Sequence, residues 1–341
     1  MNRIFALFCG LLLFACGDTA DTPGKSDAGG TADKSATNDQ PDAIVYGGSA
    51  WYGHAPVWAG IRRGIFKKHG FEVTDKSFGS SSDRLNALEA GNATFASLGE
   101  VAMLSAMAAG RRGFYWIANQ NIAPGNEGLV AIGVDRIEDL KGKKIALQNL
   151  TSIHLTIALL LKDHGLSLSD VEVLNGNNAT LVEMLRNGDA VAAGMWEPHF
   201  SAMRNLPGAK VLGTDKDTSI YKKFQTMSGP DVVCCDRKWF DADPARAKRL
   251  FRAYFEAVEW CRDNPDDLIG VVVEKTGKEA DEVKAALANF TWLGWNAQKV
   301  NMSDRRMFGQ AQVAGDLLVE MGAIAKVPAF RDWTQAEMFF E

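Results

Sequence analysis

Hydrophobic positions between residues 43 and 230 follow two periods that take turns along the chain. Ile44-Val45-Tyr46 is a strand-type apolar run ending in Gly47-Gly48-Ser49. Helical spacing follows from about Pro56 to His69 and stops at Gly70. Glycine can take the left-handed position there, and the imidazole faces the negative end of the helix. Phe71-Glu72-Val73 predicts a second strand, Gly79 to Ser82 a turn, and Asp83 to Ala90 a helix closed by Gly91. Ala93 to Leu98 then predicts a buried strand. Strands alternating with helices at this spacing predict βαβ units and a mainly parallel sheet.

The order returns about 97 residues later. Lys144 to Leu147 is a strand, Ser152 to His164 a helix stopping at Gly165, and Val171 to Leu174 a strand. Gly176-Asn177-Asn178 is a turn, and Thr180 to Arg186 a helix ending near Gly188. Leu88 to Glu100 and Leu185 to Glu197 match over thirteen positions, with Gly, Ala and a final Glu at the same offsets. Two similar α/β domains are therefore expected. After Gly229-Pro230 the spacing turns helical: Phe240 to Cys261, Pro265 to Lys275, Asp281 to Phe290 and Asp304 to Met321. Asp243-Pro244 supplies an acidic N-cap and a first-turn proline.

Ligands of open α/β sheets bind at the carboxyl ends of the strands. That edge is specified twice here. It comprises Ser49 to His54, Gly79 to Ser82 and Gly99-Glu100 in the first unit. In the second it comprises Gln148 to His154, Gly176 to Asn178 and Trp196-Glu197. Facing domains would line one cleft with these loops.

The N-terminus departs from this pattern. Arg3 is followed by twelve uncharged residues, Ile4 to Ala15, and then Cys16. Twelve residues make a helix of roughly 18 Å, short of the about 30 Å of a bilayer core, so the segment reads as a secretory signal, residues 1–15. Leu13-Phe14-Ala15-Cys16-Gly17 resembles the bacterial lipobox, which implies lipidation at Cys16. Residues 16–42 carry Gly, Ser, Thr, Ala and Asp with almost nothing apolar, as a flexible tether does.

The net charge is −5, and with Arg3 and the tether's six acids and two bases set aside residues 43–341 carry −2. No strong field of either sign remains, so a nucleic-acid partner is not expected. Cys234, Cys235 and Cys261 form no CxxC pair, so no metal site is expected. They read as buried small hydrophobes or one local disulfide. GxSxG, HExxH and P-loop motifs are missing, and neither a catalytic residue nor a cofactor is expected.

Several stretches, taken in order, carry a family resemblance. Trp51-Tyr52-Gly53-His54-Ala55-Pro56 with Gly64 to Val73, Ala87 to Phe95, Glu138 to Ile145, Thr151 to His154 and Trp196-Glu197-Pro198-His199 resemble bacterial ABC-transporter substrate-binding proteins. The similar group is the sulfonate, taurine, nitrate and thiamin-pyrimidine binders. The resemblance implies a type II periplasmic-binding-protein fold: two Rossmann-like domains joined by two hinge strands. Domain I would be discontinuous, residues 43–129 and 230–341, and domain II residues 130–229. The hinges would cross near Leu129 to Ile132 and Met227 to Asp231. It also implies a monomeric, exported and lipid-anchored importer subunit, working with an ABC permease and ATPase.

The expected ligand residues are Ser49, Trp51, Tyr52, His54, Ser80, Ser81, Ser82, Glu100, Thr151, Ser152, His154, Trp196 and Glu197. Ser80 to Ser82 and Thr151-Ser152 open helices, where free N–H groups favour an anion; ordinary N-capping is the plain alternative. Trp51, Tyr52 and Trp196 can stack on a flat or cationic group, or pack as core. His54 and His154 lie near helix starts, whereas His69 and His164 belong to helix ends. No Lys or Arg falls in the predicted loops near Glu100 and Glu197, so these two acids favour a ligand bearing an amine. An aminosulfonate such as taurine fits best, a thiamin-pyrimidine precursor next. A membrane-tethered sensor without transport is the alternative. A thiamin-pyrimidine synthase-like enzyme is disfavoured: only two cysteines stand at 234–235, and no His occurs between Glu100 and Ser105.

Overall fold

The computed structural model describes residues 40–303 and 306–340. The apolar leader, Cys16, the tether as far as Asp39 and the expected helix start at Asp304 lie outside the described residues. Twelve strands are described: β1 Asp42–Gly48, β2 Phe71–Ser77, β3 Phe95–Gly99, β4 Phe114–Asn119, β5 Asn121–Ile122, β6 Glu127–Ile132, β7 Lys144–Leu147, β8 Glu172–Asn175, β9 Ala192–Trp196, β10 Ala209–Thr214, β11 Asp231–Asp236 and β12 Thr291–Trp292. The first seven helices are α1 Ala55–Arg62, α2 Ile65–Lys68, α3 Ser81–Glu89, α4 Glu100–Ala108, α5 Ser152–Asp163, α6 Asn178–Asn187 and α7 His199–Arg204. The rest are α8 Ser219–Phe224, α9 Arg237–Ala242, α10 Pro244–Asp263, α11 Pro265–Thr276, α12 Ala280–Leu287, α13 Trp295–Ser303 and α14 Arg306–Glu320.

Two five-stranded sheets share one plan. The first runs β2-β1-β3-β11-β4, the second β8-β7-β9-β6-β10. In each the first three strands are parallel, and the fourth runs antiparallel to both neighbours. The fourth strand of each sheet is the one that arrives from the other half of the chain. The 97-residue repeat is therefore a repeat of topology. Its detail is local too: Ser80 caps α3 by accepting from Asp83 N, and Asn177 caps α6 by accepting from Thr180 N. Gly91 and Gly188 follow those helices at φ of 71° and 78°, a conformation strained for any side chain. Glu100 N donates to Pro230 O at 3.1 Å and Glu197 N to Asn126 O at 2.8 Å, so each joins its third strand to the residue before the fourth.

The chain crosses between the sheets at 120–126 and returns through 215–230. The expected hinge at Leu129 to Ile132 lies inside β6, hydrogen-bonded on both sides, and the outward crossing comes earlier. The return crossing ends at β11, near Met227 to Asp231 as expected. The single helix expected from Pro56 to His69 is broken: Gly64 takes φ 69° between α1 and α2. That expected over Phe240 to Cys261 is broken at Asp243-Pro244, where Asp243 caps α10.

The core of the first sheet includes Tyr46, Phe95, Trp116, Cys234 and Cys235, and the C-terminal helices pack on it through residues such as Phe251, Tyr254 and Leu318. Cys234, Cys235 and Cys261 are free and buried, the first of the two sequence readings, and burial pushes all three thiols up. The second sheet buries one cluster on each face. Helix α5 stands between cores: Leu155 and Leu159 join the first, while Ile153, Ile157, Leu160 and Leu161 join the second. Its central turns are buried all round, as a helix hydrophobic on every face must be.

Candidate functional site

The loops at the carboxyl ends of both sets of parallel strands line one cavity of about 720 Å³. Of the thirteen expected ligand residues, eleven lie on it: Ser49, Trp51, Tyr52, His54, Ser80, Ser81, Ser82, Thr151, Ser152, Trp196 and Glu197. Glu100 and His154 do not.

After β1 the chain turns through a 3-10 helix, Tyr52–His54. The Trp51 indole N–H donates to the Asp231 carboxylate, and the Trp51 ring stacks on Tyr52 with 3° between planes. The Tyr52 hydroxyl is buried beside Glu282, and burial and that carboxylate push it up to about 12. His54 is buried and hydrogen-bonded at Nδ1 to the Tyr46 hydroxyl and at Nε2 to Ser49 Oγ, 3.0 Å. Burial, with the Arg84 charge adding to it, drives its basicity well below the ordinary value. A neutral imidazole gripped by two hydroxyls is a wall element rather than a free base.

After β2, Ser80 closes the N-terminus of α3. Ser81 Oγ accepts from Gly99 N and from Arg84 Nη2, each at 3.0 Å. Arg84 is only 7% exposed, lines the cavity and has an unpartnered Nε. Burial weakens its basicity and the Asp231 charge opposes that. The sequence reading placed no Lys or Arg in the loops near Glu100 and Glu197, and Arg84 reaches the cavity from outside those loops. It sits in the first turn of α3, beyond the loop, where a long side chain reaches back toward the helix start.

After β7, Leu150 takes φ 56°, and its N–H donates to His154 Nδ1 at 3.0 Å. His154 thus fixes the loop from below and does not line the cavity. Non-glycine residues held at positive φ cluster at binding loops. Thr151 Oγ1 donates to Gln148 O at 2.7 Å, and Ser152 Oγ donates to Glu127 Oε2 at 2.6 Å.

The acids fall differently from the sequence expectation. Glu197 reaches the wall but is engaged, accepting from Ser201 N at 3.0 Å and Ser201 Oγ at 2.8 Å, with Arg204 at 3.5 Å. Glu100 is buried behind the wall, where Gln310 Nε2 donates to it at 2.7 Å, and burial pushes its carboxyl up to about 8. The acids on the cavity that the sequence reading missed are Glu127 and Asp231, the first residues of β6 and β11. Burial pushes Asp231 up to about 6, against the pull of Trp51 and Arg84. It pushes Glu127 up to about 7, against the Ser152 and Thr156 hydroxyls. Asn121, Asn126, His199, Thr276 and Lys278 also line the cavity and were not among the expected residues. Of these, Asn121 is 1% exposed with an unpartnered Nδ2. A repeat-aware reading had a signal for the acids: each opens the strand that follows a crossing.

Two polar surfaces thus face one cavity. The N-termini of α3 and α5, from different sheets, bring free N–H groups, serines and Arg84, an arrangement suited to an anion. The acids and aromatic rings suit a cationic or hydroxylated group.

The family model described as NMT1/THI5 like matches residues 51–268. A protein of Brucella abortus (strain 2308), provisionally named a binding protein, is 25% identical over 213 residues, 62% of this chain and 64% of the relative. The taurine-binding periplasmic protein of Escherichia coli (strain K12) is 23% identical over 200 residues, 59% of this chain and 61% of that protein. This chain thus spans less than two thirds of the length of these curated relatives. The crystal structure of the periplasmic aliphatic sulphonate binding protein from Escherichia coli superposes with a TM-score of 0.69 at 19% identity, covering 89% of this chain and all of that one.

Proposed function

The chain belongs to the NMT1/THI5-like family and has the periplasmic-binding-protein fold, and from that premise we propose that it is the solute-binding component of an ABC importer. The sheet of β1 to β4 and β11 with the C-terminal helices forms one domain and the sheet of β6 to β10 the other, and they close around one small polar solute. The solute is a sulfonate, and first among these an aminosulfonate such as taurine; a thiamin-pyrimidine precursor is the second reading. The observation that carries this reading is the meeting of two helix N-termini, from two different sheets, with buried Arg84 at one cavity. Sulfonate is a permanent anion with three acceptor oxygens. It accepts from N–H groups and a guanidinium without needing to be protonated.

The remaining features agree with such a role. The names of the relatives, a taurine-binding protein and a sulphonate binder, support the ligand class. The lipobox-like Leu13 to Gly17 supports export and a lipid anchor at Cys16. The protein acts as a monomer that docks on a permease and its ATPase. Cys234 and Cys235 are fully buried in β11, which supports binding over a cysteine-dependent synthase.

The test is a thermal-shift and calorimetric screen of the full chain against taurine, methanesulfonate, nitrate, an aminopyrimidine and riboflavin. A ligand at a hundredfold above its Kd adds roughly 2.7 kcal/mol of stability. Arg84→Gln is expected to weaken methanesulfonate at least about tenfold, the scale of a lost charged hydrogen bond. Unaltered methanesulfonate affinity in that variant would remove Arg84 from the site.

A further inference from the structure

The repeat makes the two halves of the cavity comparable position by position. Asp231 and Glu127 each open the fourth strand of their sheet, pairing with Gly99 and Trp196 at the ends of the third strands. Both carboxylates lie on the cavity. Asp231 has its countercharge within the chain: Arg84 acts on it, and the Trp51 indole donates to it.

Glu127 has no such partner. Its carboxylate accepts from the hydroxyls of Ser152 and Thr156, and its charged neighbours are the acids Asp231 and Asp215. Asp215 lies behind it, tied by Gly125 N at 2.7 Å, with a second oxygen that has no partner. The 97-residue offset shows where a cation would stand. Ser80 and Asn177 are equivalent caps, so Arg84 corresponds to Leu181, a fully buried apolar residue. One half of the cavity supplies arginine to its acid; the other supplies leucine.

A buried carboxylate facing an open cavity without a cation is costly until something positive reaches it. Unpartnered donors lie on the same cavity: Arg84 Nε and Asn121 Nδ2, each on a side chain more than nine-tenths buried. They call for acceptors, as Glu127 calls for a donor with positive charge.

We infer that the solute is a zwitterion whose hydrogen-bonding ammonium group is held by Glu127 while its anionic end lies toward Arg84 and Asn121. Glu127 is then the residue that separates amino-bearing sulfonates from plain ones. This rests on the solute-binding reading and narrows its ligand.

The experiment measures calorimetric affinity of the full chain for taurine and for isethionate, which carries a hydroxyl where taurine carries its ammonium. The wild-type chain should bind taurine at least about tenfold tighter, as one charged contact in a closed site implies. Glu127→Gln keeps the side-chain shape and should bring that ratio close to one, chiefly through lost taurine affinity. Equal wild-type affinities for the two, or a ratio untouched by Glu127→Gln, overturns the inference and leaves a sulfonate-binding protein standing. Failure of both probes to bind overturns it together with the sulfonate reading. The wild-type ratio decides the matter even should the variant not fold.

Discussion

At Gly53 the chain passes so close to its neighbours that a Cβ would overlap the indole nitrogen of Trp51 and stand 2.7 Å from the Asp231 carboxylate. Both partners are held, the indole by stacking on Tyr52 and the carboxylate by its strand. Gly53→Ala must therefore separate Trp51 from Asp231. It is expected to lower stability by about 1–3 kcal/mol, the scale of an overpacked site, and to weaken solute binding. Denaturant unfolding and calorimetry check the two effects, and wild-type values for both would mean that the loop has slack. Residues at this scale were only partly legible in the sequence. The loops at strand ends were identified, and eleven of the residues named on them reach the cavity. Arg84 was missed because reach depends on side-chain direction within the first helical turn. Glu100 was over-read because its repeat equivalence to Glu197 is one of backbone position, while its carboxylate turns into the interior toward Gln310.

Helix α5 couples the cavity to both cores. Its N-terminus offers Ser152 to the cavity, and its body is buried against the clusters of both sheets. The return crossing presses on that same N-terminus: a Cβ at Gly229 would meet the Cα and Cβ of Ser152, both at 3.2 Å. A helix packed on every side has little room to give. Gly229→Ala should accordingly weaken solute binding severalfold while costing about 1 kcal/mol of stability, read by calorimetry and thermal melting on the same sample. Unchanged affinity would show that α5 can yield. Periodicity in the sequence located most of these elements, α5 among them, because apolar spacing and glycine stops are local signals. The breaks at Gly64 and Asp243-Pro244 were less legible, since apolar residues continue through both. The outward crossing at 120–126 was misplaced because residues 129–132 read as a strand wherever that strand lies, and only pairing with β9 and β10 assigns it to the second sheet.

Across the whole molecule, buried carboxyls set how stability responds to pH. Burial raises Glu100 and Asp215 to about 8, Glu127 to about 7 and Asp231 to about 6. Unfolded chains release these protons near about pH 4. Between that value and the raised ones the folded state holds protons that the unfolded state has lost. The folded state is favoured at the acid end of that range and progressively less as pH rises. The groups with lowered values act with the opposite sign: Glu138, Asp170, Asp263 and Glu256 at pH below the ordinary carboxylate range, and the histidines His54, His154 and His199 as pH rises to about 6.5, where the unfolded chain loses its imidazole protons. The melting temperature is therefore expected to fall from about pH 6.5 to pH 8.5, above the range in which the histidines oppose the carboxyls. Glu100 contributes where the two halves join. Gln310 of α14 donates both to its carboxyl and to Ser228 O, 3.2 Å, in the return crossing. α14 also reaches the second half through an ion pair of Glu320 with Lys162 of α5. Ionising Glu100 places an uncompensated charge at that junction, so Glu100→Gln, which cannot ionise, should flatten the slope most between about pH 7 and 8.5. Calorimetric melting of the wild type and the variant across this range, in one buffer system at constant ionic strength, measures both slopes. Parallel slopes would mean that Glu100 opens to solvent before it ionises, and that the junction is looser than its packing implies.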